Sequence, residues 1–175
     1  REVKLDAARI DDDIKVLMVI HPRNLPEETE YAIDQFVLRG GKLIAFVDPY
    51  AYFDQQPDLQ NPFGGNQAGQ STFYNLFKAW GVDVDMGKVI ADLTFASGAG
   101  PQLLPTLLQL TPQALNMDDG VTSQVGTLLV PFGGAFKNKL AEGLKQTVLV
   151  HTSKNAMPVG HAFADGRQRL HAVGS

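Results

Sequence analysis

The chain has 175 residues and a mass of 19.0 kDa, which is the size of about one domain. Hydrophobic residues make up 44% of it and charged residues 19%, a composition typical of a globular protein. With 15 basic and 19 acidic residues the net charge is −4, which argues against a nucleic-acid binder or a polybasic membrane-surface protein. There is no cysteine, so thiol nucleophiles, thiolate metal sites and disulfides are excluded.

The clearest predicted unit is a strand, a helix and a second strand. Residues 14–20 form a short apolar run that predicts a strand, and His21 with the following proline ends it. A helix with an acidic first turn follows, and Gly40-Gly41 predicts a left-handed cap at its end. Residues 43–47 predict a second strand. This βαβ order requires parallel strands, and such continuous apolar runs suit strands buried on both faces.

The next segment, residues 50–70, differs in composition. It is rich in Gln, Asn, Gly and Pro and carries four aromatic residues, which predicts a long functional or mobile loop. Ser71 is then predicted to cap a second helix, with apolar residues at helical spacing and Gly81 at its end. Residues 82–91 are predicted to contain another strand.

The second half of the chain has weaker patterns. Residues 103–110 are apolar but interrupted by Pro105, so both a helix and an edge strand are possible. Residues 128–130 and 148–150 predict buried strands, and Asp118 or Asp119 could cap a helix over residues 121–125.

The alternation of strands and helices predicts an α/β fold with a mostly parallel sheet and helices on both faces. We expect a single α/β domain at residues 1–160, with its core at 13–157. The weakly patterned tail at 161–175 is expected to be poorly ordered.

Polar residues stand at the predicted strand ends. In open α/β sheets ligands bind beyond the carboxyl ends of the strands, so His21, Asp48, His151 and Ser153 are candidates for a binding crevice. The alternative is that His21 and Asp48, each followed by proline, simply end their strands in turns.

The aromatic segment carries a second hypothesis. Tyr50, Tyr52 and Phe63, among amide side chains, are the residue types that bind a neutral glycan or a peptide. The alternative is that these aromatic rings pack into the core.

Catalysis and cofactor binding have less support. Ser153 with His151 or His21, and with Asp48, is the only set that could act as nucleophile, base and orienting group, and no G-x-S-x-G elbow accompanies it. The four histidines lack the i, i+4 spacing of a zinc helix, and the glycines form no phosphate-binding loop. We therefore predict no metal and no cofactor.

An ordered set of motifs resembles a known family. A strand ends in His-Pro, a Leu-Pro-Glu-Glu helix start follows, and then come Gln-Phe-Val-Leu-Arg-Gly-Gly-Lys and a strand ending in Val-Asp-Pro, within residues 20–49. Segments 75–93, 115–136 and 148–156 also fit. Together they resemble the soluble domain of the gliding-motility-type ABC transporter auxiliary proteins.

The resemblance implies more than the residue patterns do. It implies an amidotransferase-like, three-layer α/β sandwich related to flavodoxin-like domains, and a position outside the cytoplasmic membrane. It also implies an ABC permease and an ATPase as partners. Because the sequence starts at Arg1, we expect it to be an excised piece, and the resemblance implies membrane helices in the flanking parts of the parent protein. Amidotransferase activity needs a cysteine and is excluded here.

The resulting prediction is a non-enzymatic auxiliary domain of an ABC-type transport system. It would bind a partner subunit, an envelope component or a transported ligand. One alternative is a stand-alone sensor or glycan-binding module that uses the strand-end crevice. Another is a degenerate hydrolase that uses Ser153.

Overall fold

The computed structural model describes residues 1–57, 66–137 and 142–164. Its helices are α1 (Glu27–Leu38), α2 (Tyr74–Ala79) and α3 (His161–Ala164). Its strands are β1 (Val16–Ile20), β2 (Lys42–Phe46), β3 (Ala51–Pro57), β4 (Asn66–Gly69), β5 (Lys88–Asp92), β6 (Ala96–Ser97), β7 (Leu104–Leu110), β8 (Leu128–Pro131) and β9 (Ala156–Gly160).

The predicted βαβ unit is confirmed. Strands β1 and β2 pair in parallel, with Val16 opposite Lys42 and Ile20 opposite Phe46, and α1 forms the crossover between them. The end of α1 has the predicted left-handed cap, because Gly40 has a φ of +94°. The Gly41 amide donates to the Phe36 carbonyl at 2.9 Å, which is the long hydrogen bond of a Schellman motif.

The rest of the predicted fold class is wrong. Among the described residues β1 and β2 are the only parallel pair, and the other sheets are small and antiparallel, so this is not a mostly parallel flavodoxin-like or amidotransferase-like sandwich. A parallel pair needs a long crossover, usually a helix, between its strands. Between β5 and β9 the only helical segments among the described residues are short 3-10 turns, at Gly100–Gln102 and Pro112–Ala114. Prolines and positive-φ glycines occupy this stretch, and they favour turns over crossover helices.

The prediction of a long loop at residues 50–70 is also wrong for the part of this segment that the structure describes. Strands β3 and β4 form an antiparallel pair there, with an irregularity between Ala51 and Gln55. The sequence did not predict β4, because Asn66–Gly69 has low hydrophobicity and no alternation of apolar and polar residues.

Residues 103–110, for which the sequence allowed a helix or an edge strand, contain strand β7. It is the central strand of the sheet β6-β7-β8, although a proline was expected to confine it to an edge. Pro105 precedes the part of β7 that pairs with β8, which runs over residues 107–110. It also faces the irregular part of the β6 pairing, so no regular ladder bond is lost at that position.

Two further elements differ from the prediction. Residues 121–125 form turns rather than a helix, with the Asp119 carboxylate accepting the Val121 amide at 2.9 Å. Residues 148–150 contribute an isolated bridge between Leu115 and Val150 instead of a strand. At Val121 a neighbouring side chain satisfies the backbone locally, whereas Val150 pairs with a residue distant in sequence.

The buried apolar residues form three clusters. The largest joins the inner face of β1 to α1 and α2 and contains Ile10, Leu17, Ala32, Ile33, Phe36, Phe73, Leu76 and Phe77. The second contains Tyr50, Val89, Ala91 and Val159, and the third contains Phe95, Leu108, Leu110 and Ala114. The candidate site lies beside the first two clusters, where β1 and β2 end.

The structure describes only the first residues of the predicted tail. Residues 161–164 form the short helix α3, and residues 165–175 lie outside the described part of the chain. No helix in the described ranges is both long and apolar enough to cross a bilayer.

Candidate functional site

The carboxyl ends of β1 and β2 are joined by one serine. His21 follows β1 and Asp48 lies two residues beyond β2, and Ser71 reaches both. The amide of Asp48 donates to Ser71 Oγ at 2.9 Å, and the Ser71 amide donates to the Asp48 carbonyl at 2.8 Å. Ser71 was predicted to cap α2, but that helix begins at Tyr74 and has no side-chain cap.

The His21 ring continues this hydrogen-bonded series. Ser71 Oγ lies 3.0 Å from His21 Nδ1, and Asp54 Oδ2 lies 3.1 Å from His21 Nε2. Asp54 as a carboxylate can only accept, so His21 Nε2 is the donor of that pair, and in the tautomer protonated only at Nε2 the Nδ1 atom accepts from the Ser71 hydroxyl. His21 has a φ of +45°, an uncommon conformation for a residue with a side chain, so the surrounding contacts hold it there.

Arg23 closes the series on the outer side. Its guanidinium pairs with Asp54 Oδ2, and both side chains are about one-third exposed. Gly69 on β4 makes room for this carboxylate, since a Cβ there would overlap Asp54 Oδ2 and lie 2.9 Å from the Asp54 carbonyl oxygen. We call His21, Arg23, Asp54 and Ser71 the polar series.

Aromatic side chains extend the polar series along β3. Phe53 is 96% exposed and Tyr52 is 49% exposed, and their rings meet edge to face at 5.2 Å. The Tyr52 ring also stacks on Phe132 at 6.0 Å, and Phe132 has a φ of +53°. A positive φ is a real outlier for so bulky a residue, so the chain is held in a constrained conformation under Tyr52.

Tyr50 lies in the core instead of on this surface. It is 6% exposed, packs with Val89 and Val159, and its ring lies 5.0 Å from that of Phe132. For Tyr50 the packed alternative of the sequence analysis therefore applies. The remaining predicted aromatic, Phe63, lies outside the described residues.

Ser153 belongs to a different polar cluster, at the end of β5. Its hydroxyl donates to Asp92 Oδ1 at 2.6 Å and its amide donates to Asp92 Oδ2 at 2.7 Å. Asp92 is fully buried, and burial opposes its ionisation. Hydrogen bonds from Ser153 and from the amides of Thr94 and Phe95 outweigh this desolvation and lower the pKa of Asp92 below its usual value.

His151 is exposed, and its Nδ1 lies 3.0 Å from the neighbouring Thr152 carbonyl oxygen. The structure thus brings His21 and Asp48 together, while Ser153 bonds to Asp92 rather than to a histidine.

Sequence reasoning missed Arg23, Asp54 and Ser71 as site residues. Arg23 could have been found from the sequence, because it directly follows the His-Pro strand end. Asp54 could not, because only the pairing of β3 with β4 brings it to His21 and Arg23.

The chemistry of the polar series favours binding over catalysis. Serine, histidine and aspartate occur in hydrogen-bonded order, as in a hydrolase triad, but Ser71 is 0% exposed and its Oγ accepts the Asp48 amide. Ser71 therefore positions the strand ends. Arg23, Asp54 and the Tyr52 and Phe53 rings present charge and apolar area to solvent, the side-chain types that protein interfaces use.

A cation site is not evident in this part of the molecule. Among residues 1–57, 66–137 and 142–164, no group of three or more histidines and carboxylates is placed to hold a metal ion.

Comparison with known proteins places the chain in a family. An uncharacterized protein of Borreliella burgdorferi is 20% identical over 193 aligned positions, which take in 97% of this chain and 37% of the relative. This chain therefore spans little more than a third of that relative's length. No solved structure matches this chain significantly. The family described as an ABC-type uncharacterized transport system matches residues 1–170, so this chain belongs to the ABC transporter auxiliary family.

Proposed function

We propose that this chain is a non-catalytic, extracytoplasmic domain of an ABC-type transport system, and that it binds a partner subunit of that system. Membership of the auxiliary family supports a role beside the transporter. The permease and the ATPase are the partners we propose, with the membrane reached through segments of the longer parent protein.

The observation that carries the binding role is the surface of Tyr52, Phe53, Arg23 and Asp54. An almost fully exposed phenylalanine in ring contact with a half-exposed tyrosine presents adjoining apolar area of the kind that interaction sites use. Aromatic residues and arginine are also the types that dominate interface energetics. Two residues with positive φ, His21 and Phe132, flank this surface and fix its shape.

Purification of the full-length parent protein tests this proposal. A tagged form would be solubilised gently from its membranes, and the co-purifying proteins identified and quantified. We expect the permease and the ATPase in stoichiometric amounts. In the Phe53→Ala variant we expect their recovery to fall about tenfold, as for an interface hot spot.

Tyr31→Ala is the matched control, because Tyr31 is an exposed aromatic on α1, a helix that contributes no residue to this surface. It should leave recovery unchanged. Recovery of a solitary protein would contradict the partner role. Equal loss in both variants would contradict the assignment of the surface.

The extracytoplasmic position has its own test. In cells with a permeabilised outer layer and an intact cytoplasmic membrane, added protease should cleave this domain. Protection equal to that of a cytoplasmic marker would contradict the position without bearing on the binding surface.

A further inference from the structure

The His21 ring links two groups that each have a second partner. Its Nδ1 lies 3.0 Å from Ser71 Oγ, and its Nε2 lies 3.1 Å from Asp54 Oδ2. Arg23 pairs with the same Asp54 oxygen. Ser71 Oγ also accepts the Asp48 amide at 2.9 Å. A change in the charge of the ring therefore alters a buried hydrogen bond on one side and a surface ion pair on the other.

A neutral ring satisfies these contacts. When its proton is on Nε2, it donates to Asp54 and accepts from the Ser71 hydroxyl at Nδ1. Ser71 is 0% exposed, so water does not supply another acceptor for its hydroxyl. Of the two donors on Asp54 Oδ2, only the Arg23 guanidinium is then charged.

Protonation of the ring disturbs both sides. Both nitrogens of an imidazolium donate, so Nδ1 no longer accepts from Ser71 and the buried hydroxyl loses its acceptor there. On the other side, the imidazolium and the Arg23 guanidinium compete for one oxygen of Asp54. The His21 and Arg23 side chains are 23% and 31% exposed, so solvent weakens the repulsion between the two cations without removing it. The long Arg23 side chain can turn to water without moving the backbone, so it is the group displaced.

Among the described residues, charged groups approach the His21 ring from the ends of β1 and β2 and from β3. Arg23 follows the end of β1, and Asp54 lies on β3. At the end of β2, the Asp48 carboxylate accepts a backbone amide of its own turn at 2.9 Å. The Asp48 amide, rather than its carboxylate, reaches Ser71. Titration of the ring therefore acts directly on the ion pair of Arg23 with Asp54.

The loop that carries the ring, residues 21–24, is held in an uncommon conformation. His21 has a φ of +45° and Asn24 a φ of +48°, and neither is glycine. The Asn24 amide donates to Thr72 Oγ1 at 2.6 Å, which fastens the end of the loop to the segment before α2. Such conformations persist only where the surrounding contacts enforce them. The bond between His21 and Ser71 is one of those contacts, so its loss favours opening of the loop.

We propose that His21 is a pH-sensitive switch that controls Arg23. While the ring is neutral, it joins Ser71 to Asp54 and leaves Arg23 paired with Asp54. When the ring is protonated, it keeps Asp54 and gives up Ser71, which releases the guanidinium to solvent and loosens the loop. A histidine ordinarily changes charge between about pH 5 and 8, so an unpaired arginine appears on the proposed binding surface in mildly acidic conditions. This inference concerns the chain alone and holds whichever partner it binds.

An NMR titration of the 175-residue chain between about pH 8 and 5 tests the switch. The ring nitrogens of His21 report its charge, the Arg23 Nε–H reports the ion pair, and the Ser71 and Asn24 amides report the loop and its anchor. We expect all four to change with one midpoint. The exchange protection of the Asn24 amide, corrected for the intrinsic effect of pH, should fall about tenfold on the acid side. A ring that titrates while the Arg23 and Ser71 signals stay constant would overturn the proposal.

Three variants assign the transition. In His21→Asn the new side chain tolerates a positive φ and offers Ser71 an oxygen but does not titrate, so the changes at Arg23 and Ser71 should vanish. His151→Asn removes an exposed histidine elsewhere and should leave them intact. Asp54→Asn should remove the pH dependence of the Arg23 signal alone, which keeps the test valid if His21→Asn fails to fold. A transition that survives in His21→Asn, is lost in His151→Asn, or persists at Arg23 in Asp54→Asn would contradict the switch.

Discussion

Ser71 shows how much one buried hydroxyl can organise. It accepts the Asp48 amide and lies 3.0 Å from the His21 ring, so it connects the ends of two parallel strands to the segment that precedes α2. Its backbone amide bonds to the Asp48 carbonyl as well. The geometry of the polar series therefore depends on a residue that contacts no solvent.

Replacing Ser71 by alanine should lower the free energy of unfolding by about 1–3 kcal/mol, because the part-buried Asp48 amide loses its acceptor beside a fully buried position. Urea unfolding would measure this loss. Thr127→Ala, which removes a hydroxyl at an exposed position, should change stability by less than about 0.5 kcal/mol. Equal effects of the two substitutions would contradict the role given to Ser71.

Gly41 is required for a different reason. A Cβ at this position would overlap the ring of Phe36, which is 1% exposed and central to the largest cluster. Gly41→Ala should therefore destabilise the protein by about 1–3 kcal/mol through overpacking. Gly126→Ala, where a Cβ meets nothing within 4 Å, is the control for thermal unfolding. A Gly41→Ala melting temperature equal to that of the control would show that Phe36 can move aside freely.

At the scale of elements, residues at the start of β3 divide into one buried aromatic, Tyr50, and two exposed ones, Tyr52 and Phe53. Tyr50 packs under Phe132 and beside β5 and β9, while Phe53 points into solvent and Tyr52 is intermediate. Sequence alone offered Tyr50 and Tyr52 alike as binding candidates. The packing of Phe132 and of residues on β5 and β9 against Tyr50, rather than strand alternation, decides which of the rings a partner can reach.

This division predicts opposite phenotypes for neighbouring rings. Tyr50→Ala should cost about 3–5 kcal/mol of stability, as for other large aromatic truncations in a core. Phe53→Ala should change stability by less than about 0.5 kcal/mol and act on binding instead. Chemical denaturation of both variants measures the difference. Similar stabilities would show that the Tyr50 ring is not part of the core.

At the scale of the whole molecule, Asp92 ties β5 to the segment that leads into β9. It accepts hydrogen bonds from Ser153, 61 residues away, as well as from Thr94. The net lowering of its pKa means that the folded state favours the ionised form. This stabilisation is present above the unfolded carboxyl pKa of about 3.9 and is lost as the pH falls through the lower folded value.

Asp92→Asn should therefore be less stable than the parent chain at about pH 5–7, and the gap should narrow as the pH falls below about 4. Urea unfolding across roughly pH 3–7 would show this convergence. Asp118→Asn, at an exposed turn, should follow the parent chain at every pH. A gap that stays constant down to about pH 3 would mean that ionisation of Asp92 does not stabilise the fold.

The sequence by itself determined the local structure where strong signals agree. The apolar runs on either side of α1, its acidic first turn and Gly40-Gly41 specify the βαβ unit, because these signals act within about one helix of chain. The motif set likewise pointed to the ABC transporter auxiliary family, to which the chain belongs. The end of β1 at His21 was also predicted from local sequence, because a proline follows His21.

Only the tertiary structure decided how the remaining strands pair and which side chains meet. Strands β5 and β9 are more than 60 residues apart, and no local pattern sets their antiparallel register. Asp54 and Ser71 reach His21 through the pairing of β3 with β4 and the path of the segment after it, whereas Ser153 reaches Asp92 instead. Such contacts depend on long-range packing and buried hydrogen bonds, which residue periodicity does not encode.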